Sequence, residues 1–142
     1  MNASPDAMRE AFQRAGENKL PALLGIELVS AQPDAFEGRF DVREKHFAPN
    51  GFLHAASVIA LADTLCGYAT VANLPGGATG FTTVELKSNF LGTARSGGVL
   101  ARAVPLHRGK TTQVWDATVQ REEDGGVIAM FRCTQLILYP KG

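Results

Sequence analysis

Three features of this sequence predict an α+β fold in which one long central helix faces a mostly antiparallel sheet of about six strands. A run of 17 residues, "AASVIALADTLCGYATV", is rich in Ala and Leu and contains no Pro, which favours helix over strand. Two strand-like segments precede it around a Pro-Asp turn. Four more follow, separated by short Gly-containing or charged turns.

Taken in order, "SPDAMREAFQRA" reads as a helix with Ser4 as N-cap, Pro5 at its first position and Asp6 in its first turn, stopping near Gly16. "LLGIELVSAQPDAFEGRFDV" reads as two strands about Pro33-Asp34. The long helix follows His54 and ends at "NLPGG". "TGFTTVELKSNFLG", "GVLARAVPLHRG", "KTTQVWDATVQRE" and "GVIAMFRCTQLILY" supply the remaining strands. The 142 residues are the length of one domain, residues 1–142, with 1–19 as an N-terminal helical extension.

Composition narrows the function classes. Fourteen basic residues balance fourteen acidic ones, which removes the simplest electrostatic case for nucleic acid or an anionic membrane surface. The polar, mixed-charge N-terminus reads as neither a signal nor a transit peptide, and no stretch holds the roughly 18 unbroken apolar residues of a membrane span, so the expected location is cytoplasmic. Cys66 and Cys133 lie in apolar segments and read as buried reduced thiols. No zinc-type spacing is present, and no metal is expected.

The long helix is apolar on nearly every side, so it is expected to be buried with the sheet wrapped round it. Asp63 is then its one costly residue, because a buried carboxylate must find a partner or bind its proton more tightly. It either pairs structurally, with an Arg or a backbone group, or belongs to a reactive site. His54 stands nine residues earlier, about 13 Å along a helix and on the opposite face. If both serve one site, the second group comes from another copy of the chain across a symmetric interface. Otherwise His54 is a histidine of the N-cap region that bonds a loop. The Asn50-Gly51 turn sits just ahead of the first helical N–H groups, and such a helix start can hold an oxyanion.

"NGFLHAASVIALAD", "GFTTVELKSNFL" and "HRGKTTQVWDATV" together resemble the hotdog-fold acyl-CoA thioesterases of the PaaI-like, phenylacetate-pathway type. The resemblance spans roughly residues 20 to 139. Its centre is a G-x-x-H-G-G pattern with an acidic residue nine positions after the His, matched here by Gly51, His54 and Asp63. Ala55-Ala56 replaces the glycine pair, and Ala48 stands where the family frequently has Asn, with Asn50 nearby.

The resemblance implies a curled sheet round the helix and a homodimer with two sites at its seam, paired further into a dimer of dimers. It implies hydrolysis of an aromatic or medium-chain acyl-CoA to acid and coenzyme A. No cofactor is required beyond the coenzyme A of the substrate. The Ala55 N–H would polarise the thioester carbonyl, and His54 and Asn50 would orient the loop or the thioester end. Asp63 would attack directly or activate a water. Thr83 matches a family Ser/Thr position that places the carboxylate or the water. Simple alternation puts Thr83, Glu85, Lys87 and Asn89 on one face of their strand, where Glu85 and Lys87 read as a charge pair. Arg108, Gly109, Lys110 and Thr111 form a basic turn for the nucleotide phosphates or, more plainly, a solvated hairpin turn. Trp115 reads as core or interface. Three alternatives remain: a hotdog dehydratase or hydratase using His46 or His54 with Asp63, a non-catalytic acyl-CoA-binding module, and an interaction protein working through a sheet edge.

Overall fold

In the computed structural model, which describes residues 3–142, the helix α1 (Pro5–Ala15) starts as its sequence requires. The Ser4 hydroxyl accepts the Ala7 N–H at 3.2 Å, and Pro5 fills the first helical position, where no N–H is needed. Phe12 stacks on Tyr68 and meets Phe36 edge-on, while the Gln13 amide bonds Ile26 and Leu28. The N-terminal extension is therefore packed onto the rest of the fold. A short second helix, α2 (Leu20–Leu23), follows; the sequence reading did not anticipate it.

The strands are β1 (Glu27–Gln32), β2 (Ala35–Asp41), β3 (Gly80–Phe90), β4 (Gly98–Arg108), β5 (Thr112–Arg121) and β6 (Val127–Leu138). They form one antiparallel sheet in the order β1-β2-β4-β5-β6-β3. The predicted helix is α3 (Ala55–Ala72), between β2 and β3 in the chain. This is the hotdog fold: α3 lies on the concave side of the sheet, against the inward side chains of β2, β4, β5 and β6. Phe36, Phe40, Leu61, Leu65, Trp115, Val119 and Ile128 form the centre of the core. By length and mean hydropathy α3 alone would suffice to cross a bilayer, because its few polar residues are diluted by many apolar ones. Its apolar side packs on the sheet instead.

β3 is the exception to this burial. It is an edge strand of 11 residues with one side unpaired, and its inward Leu86 and Phe90 stay 40% and 45% exposed because α3 does not reach over them. Val84 forms a bulge: Thr83 pairs with Gln135 but Glu85 pairs with Thr134. The extra residue reverses the alternation, so Thr83 faces inward together with Leu86 and Ser88. Glu85, Lys87 and Asn89 face outward with Asp116 and Arg132, around an open groove of about 370 Å³. The single shared face expected from the sequence is therefore divided. No Glu85–Lys87 ion pair forms among the described residues; the charge pair on this face is Arg132 with Asp116, at 2.6 Å.

Leu65 is fully enclosed between α3 and β2, with its side chain over Gly38, whereas Leu23 is 66% exposed. Leu65→Ala is expected to cost about 2–5 kcal/mol in chemical denaturation, and Leu23→Ala no more than about 0.5 kcal/mol. Equal losses would contradict this core assignment.

Candidate active site

The loop before α3 is built to present the helix start. Gly51 takes a φ of +85°, which suits glycine, and the Asn50 Oδ1 accepts the Phe52 N–H at 3.2 Å. Leu53 donates its N–H to the Thr93 hydroxyl, and the His54 N–H bonds the His46 carbonyl at 2.8 Å. His54 is the N-cap: its Nδ1 accepts the Ala56 N–H at 2.9 Å. A neutral ring then carries its proton on Nε2, which is left to donate outward. Ala55 is exposed, and its N–H has no acceptor among the described residues. An exposed N–H at a helix start beside an imidazole donor suits a developing oxyanion.

His46, the second histidine of the dehydratase alternative, has a different task. It is 1% exposed and stacked on Phe40. Its Nδ1 accepts the Arg43 N–H, and its Nε2–H donates to the Leu24 carbonyl at 2.7 Å. Both ring nitrogens are committed, so His46 buttresses the loop and has no free nitrogen for proton transfer.

Asp63 is half-buried. It makes no ion pair or hydrogen bond among the described residues, and its Oδ1 is enclosed without a partner. The structural pairing with an Arg or a backbone group does not occur within the chain. Burial pushes the Asp63 carboxyl above the usual aspartate range. Gly67, one turn further along α3, would touch the Phe81 ring if it had a Cβ. β3 runs against α3: Leu53, before the helix start, bonds Thr93 beyond the C-terminal end of β3, and Phe81, near the N-terminal end of β3, lies at Gly67. One turn back on the helix and two residues along the strand therefore lead the same way. Asp63, one turn before Gly67 on the same side of α3, thus faces the space between α3 and β3, into which Thr83 also points from the strand.

The remaining sequence-assigned residues are not brought to this point. Asp63 lies about 13 Å along the axis from His54 and on the opposite side of the helix. The basic turn is further still. Arg108 donates to the Asn73 Oδ1 at 3.1 Å, at the far end of α3, about 28 Å from His54. The Gly109 N–H bonds the Thr112 carbonyl, the Tyr139 hydroxyl donates to the Lys110 carbonyl, and the Thr111 carbonyl accepts the Ile137 N–H. Neither Arg108 nor Lys110 meets an acidic partner among the described residues, so both cations stay available.

Two buried amides were missed from the sequence. Gln113 and Gln135 are fully enclosed and directly opposed on β5 and β6. Gln113 accepts the Trp115 Nε1–H and donates to the Asn73 carbonyl, while Gln135 accepts the Thr83 hydroxyl at 2.6 Å. Trp115 itself is core. The signal was present: Gln113 shares its inward alternation with Trp115, Ala117 and Val119, and a polar residue at such a position needs a reason.

The profile of the thioesterase superfamily matches residues 50–128, from the loop before α3 into β6. A 1,4-dihydroxy-2-naphthoyl-CoA hydrolase of Listeria monocytogenes is 30% identical over 115 residues, which is 81% of this chain and 92% of that protein. A protein of Haemophilus influenzae named as an esterase is 34% identical over 81% of this chain and 83% of its own length. Among solved structures, a mutant of the thioesterase PA1618 from Pseudomonas aeruginosa superposes with a TM-score of 0.88 at 28% identity, covering 96% of both chains. The thioesterase HI1161 from Haemophilus influenzae gives a TM-score of 0.87 at 27% identity, over 98% of this chain and 93% of that one.

The raised Asp63 pKa has a consequence for stability. The folded chain holds this proton more tightly than the unfolded chain. Stability therefore falls as pH rises from the ordinary aspartate value through the raised folded one. Asp63→Asn removes that loss. It is expected to raise Tm at neutral pH and to lose the advantage in acid below the aspartate range, read by thermal denaturation. A lower Tm at neutral pH would show that the carboxylate has a stabilising partner.

Proposed function

The chain belongs to the thioesterase superfamily and is a thioester hydrolase, and from that premise we propose that Asp63 is its reactive carboxylate, acting on an acyl-CoA. The observation that carries this reading is the partly buried, unpaired Asp63 on the side of α3 that faces β3. A carboxylate kept short of hydrogen bonds costs stability and gains basicity, a combination suited to a base or nucleophile.

The proposed site is completed by a second copy of the chain. The unpaired edge of β3, with exposed Val84, Leu86 and Phe90, is suited to antiparallel pairing with the same edge of a partner. Such a homodimer would set the His54–Ala55 helix start of one subunit against the Asp63 of the other, which a single helix cannot do. The Ala55 N–H and the His54 Nε2–H would hold the thioester oxygen as it gains charge. Asn50 would shape the turn that presents them. The unpaired cations Arg108 and Lys110 would meet the phosphates of coenzyme A. No resident cofactor or metal enters the reaction.

An aromatic acyl group is favoured over a medium-chain one by two observations. The Phe81 ring lies against Gly67, one turn from Asp63, where a flat group can stack. The Listeria relative acts on a naphthoyl-CoA. The dehydratase reading loses its second histidine, because His46 is fully committed within the fold.

Thiol release from a panel of aromatic and aliphatic acyl-CoAs tests this. The wild-type protein should turn over, with kcat/KM falling in acid as Asp63 takes up its proton at a pH above the ordinary aspartate range. Asp63→Asn should lose about two orders of magnitude or more while staying folded. An equally active Asp63→Asn would move the chemistry elsewhere.

A further inference from the structure

A chain of hydrogen bonds runs from the core to an exposed cation at the C-terminal end of α3. The enclosed Trp115 donates its Nε1–H to the Gln113 Oε1 at 2.8 Å, and the Gln113 Nε2–H donates to the Asn73 carbonyl at 2.8 Å. Asn73 is the C-cap of α3. Its Nδ2 donates to the Ala69 carbonyl at 2.8 Å and to the Pro33 carbonyl, in the β1–β2 turn, at 2.7 Å. Two carbonyls at the amide nitrogen fix which end of the side chain is which. The Oδ1 is therefore the end that accepts the Arg108 guanidinium, at 3.1 Å.

Arg108 is exposed at the end of β4. A guanidinium has several N–H donors in one rigid plane, so a single bond to Asn73 orients the fork and leaves most of it free. The turn that follows is held as well. The Gly109 N–H bonds the Thr112 carbonyl at 2.8 Å, the Ile137 N–H bonds the Thr111 carbonyl at 2.9 Å, and the Tyr139 hydroxyl donates to the Lys110 carbonyl. A turn that only reverses the chain in solvent needs no such links to α3 and β6.

We propose that Asn73 is a positioning residue for coenzyme A: it holds the Arg108 guanidinium ready for a phosphate of the nucleotide, so that thioesters of coenzyme A are favoured over the same acyl groups on a bare pantetheine arm. This rests on the reading of Arg108 and Lys110 given above. The reach fits. Asn73 stands ten residues after Asp63, about 15 Å along the α3 axis. The pantetheine arm has the backbone length of about four extended residues, or about 14 Å from sulfur to the first phosphate. An arm running along α3 from Asp63 delivers the phosphates to this end of the helix. A helix C-terminus is otherwise a poor place for an anion, because its free carbonyls carry partial negative charge. Asn73 covers two of them, Ala69 with its side chain and Thr70 with its backbone N–H at 3.0 Å, which leaves Arg108 and Lys110 to set the local charge. A guanidinium oriented in advance also loses less conformational freedom when phosphate binds.

The test measures kcat, KM and Tm for wild type, Arg108→Met, Arg108→Lys, Asn73→Ala and the double variant Asn73→Ala/Arg108→Met. Each is given the best acyl-CoA of the panel above and the same acyl group on pantetheine. Asn73→Ala and Arg108→Met should each raise KM for the CoA ester about fivefold or more with kcat within about twofold, and the pantetheine ester should respond much less. The double variant should have the KM of Arg108→Met, because Asn73 acts through Arg108. Arg108→Lys keeps the charge without the oriented fork and should also raise KM several-fold, which reads the proposal even if Asn73→Ala does not fold. A wild-type KM in Arg108→Met would remove Arg108 from phosphate binding and this proposal with it, leaving the reading of Asp63 untouched. A raised KM in Arg108→Met beside a wild-type KM in Asn73→Ala, or an Arg108→Lys equal to wild type, would overturn the role of Asn73 alone. Equal losses on both esters in Asn73→Ala, or a double variant that adds the two losses, would make Asn73 only a helix cap.

Discussion

The packing of α3 into the concave side of the sheet is the interaction on which the other features depend. A helix this apolar cannot rest on a surface; it needs cover on most of its sides. β2, β4, β5 and β6 supply that cover with Phe36, Phe40, Val99, Trp115, Val119 and Ile128. β3, at the sheet's edge, does not finish the wrapping. The uncovered strip beside it is where Asp63, Thr83 and the exposed Leu86 and Phe90 are found. The same shortfall in coverage that leaves apolar surface for a partner leaves room for a substrate.

Energetically, the site is the part of the molecule that works against stability. The core groups are paired or packed, down to the His46 ring with both nitrogens bonded. On α3, β3 and the neighbouring β6 there are exceptions, with a carboxylate, a hydroxyl and an amide enclosed without partners. Natural folds accept such costs mainly where a bound molecule relieves them. The two histidines show the contrast directly. His46 is consumed by structure, while His54 spends one nitrogen capping α3 and keeps the other outward.

Most of the fold was legible because the relevant signals are local. Ser4-Pro5 starts α1, Pro33-Asp34 turns β1 into β2, and the unbroken Ala- and Leu-rich run makes α3. The spacing of His54 and Asp63 was also enough to show that one helix cannot bring them together. What escaped was set by pairing between distant strands. The bulge at Val84 depends on the register with β6 and reverses the side on which Glu85, Lys87 and Asn89 lie. Nothing within "TTVELKSN" announces it. The Thr83–Gln135 bond joins residues 52 positions apart, and only the fold shows that they are opposite each other. His46 was open to a catalytic reading because its partners, Leu24 and Phe40, come from other segments. The short α2 has too few residues for a periodic signal.

The proposed site is split between its two most reactive elements. The helix start offers donors, mid-helix offers a base, and the geometry of α3 holds them apart within any one subunit. Complementation measures this division most directly. Asp63→Asn and His54→Ala chains, each weakly active alone, are dissociated, mixed and reassociated, and thioesterase activity is followed as mixed dimers form. A site shared across the seam predicts recovery toward about a quarter of wild-type activity, because half of the dimers are mixed and each restores one of two sites. No recovery, with mixed dimers confirmed by mass, would show that each subunit works with its own residues alone.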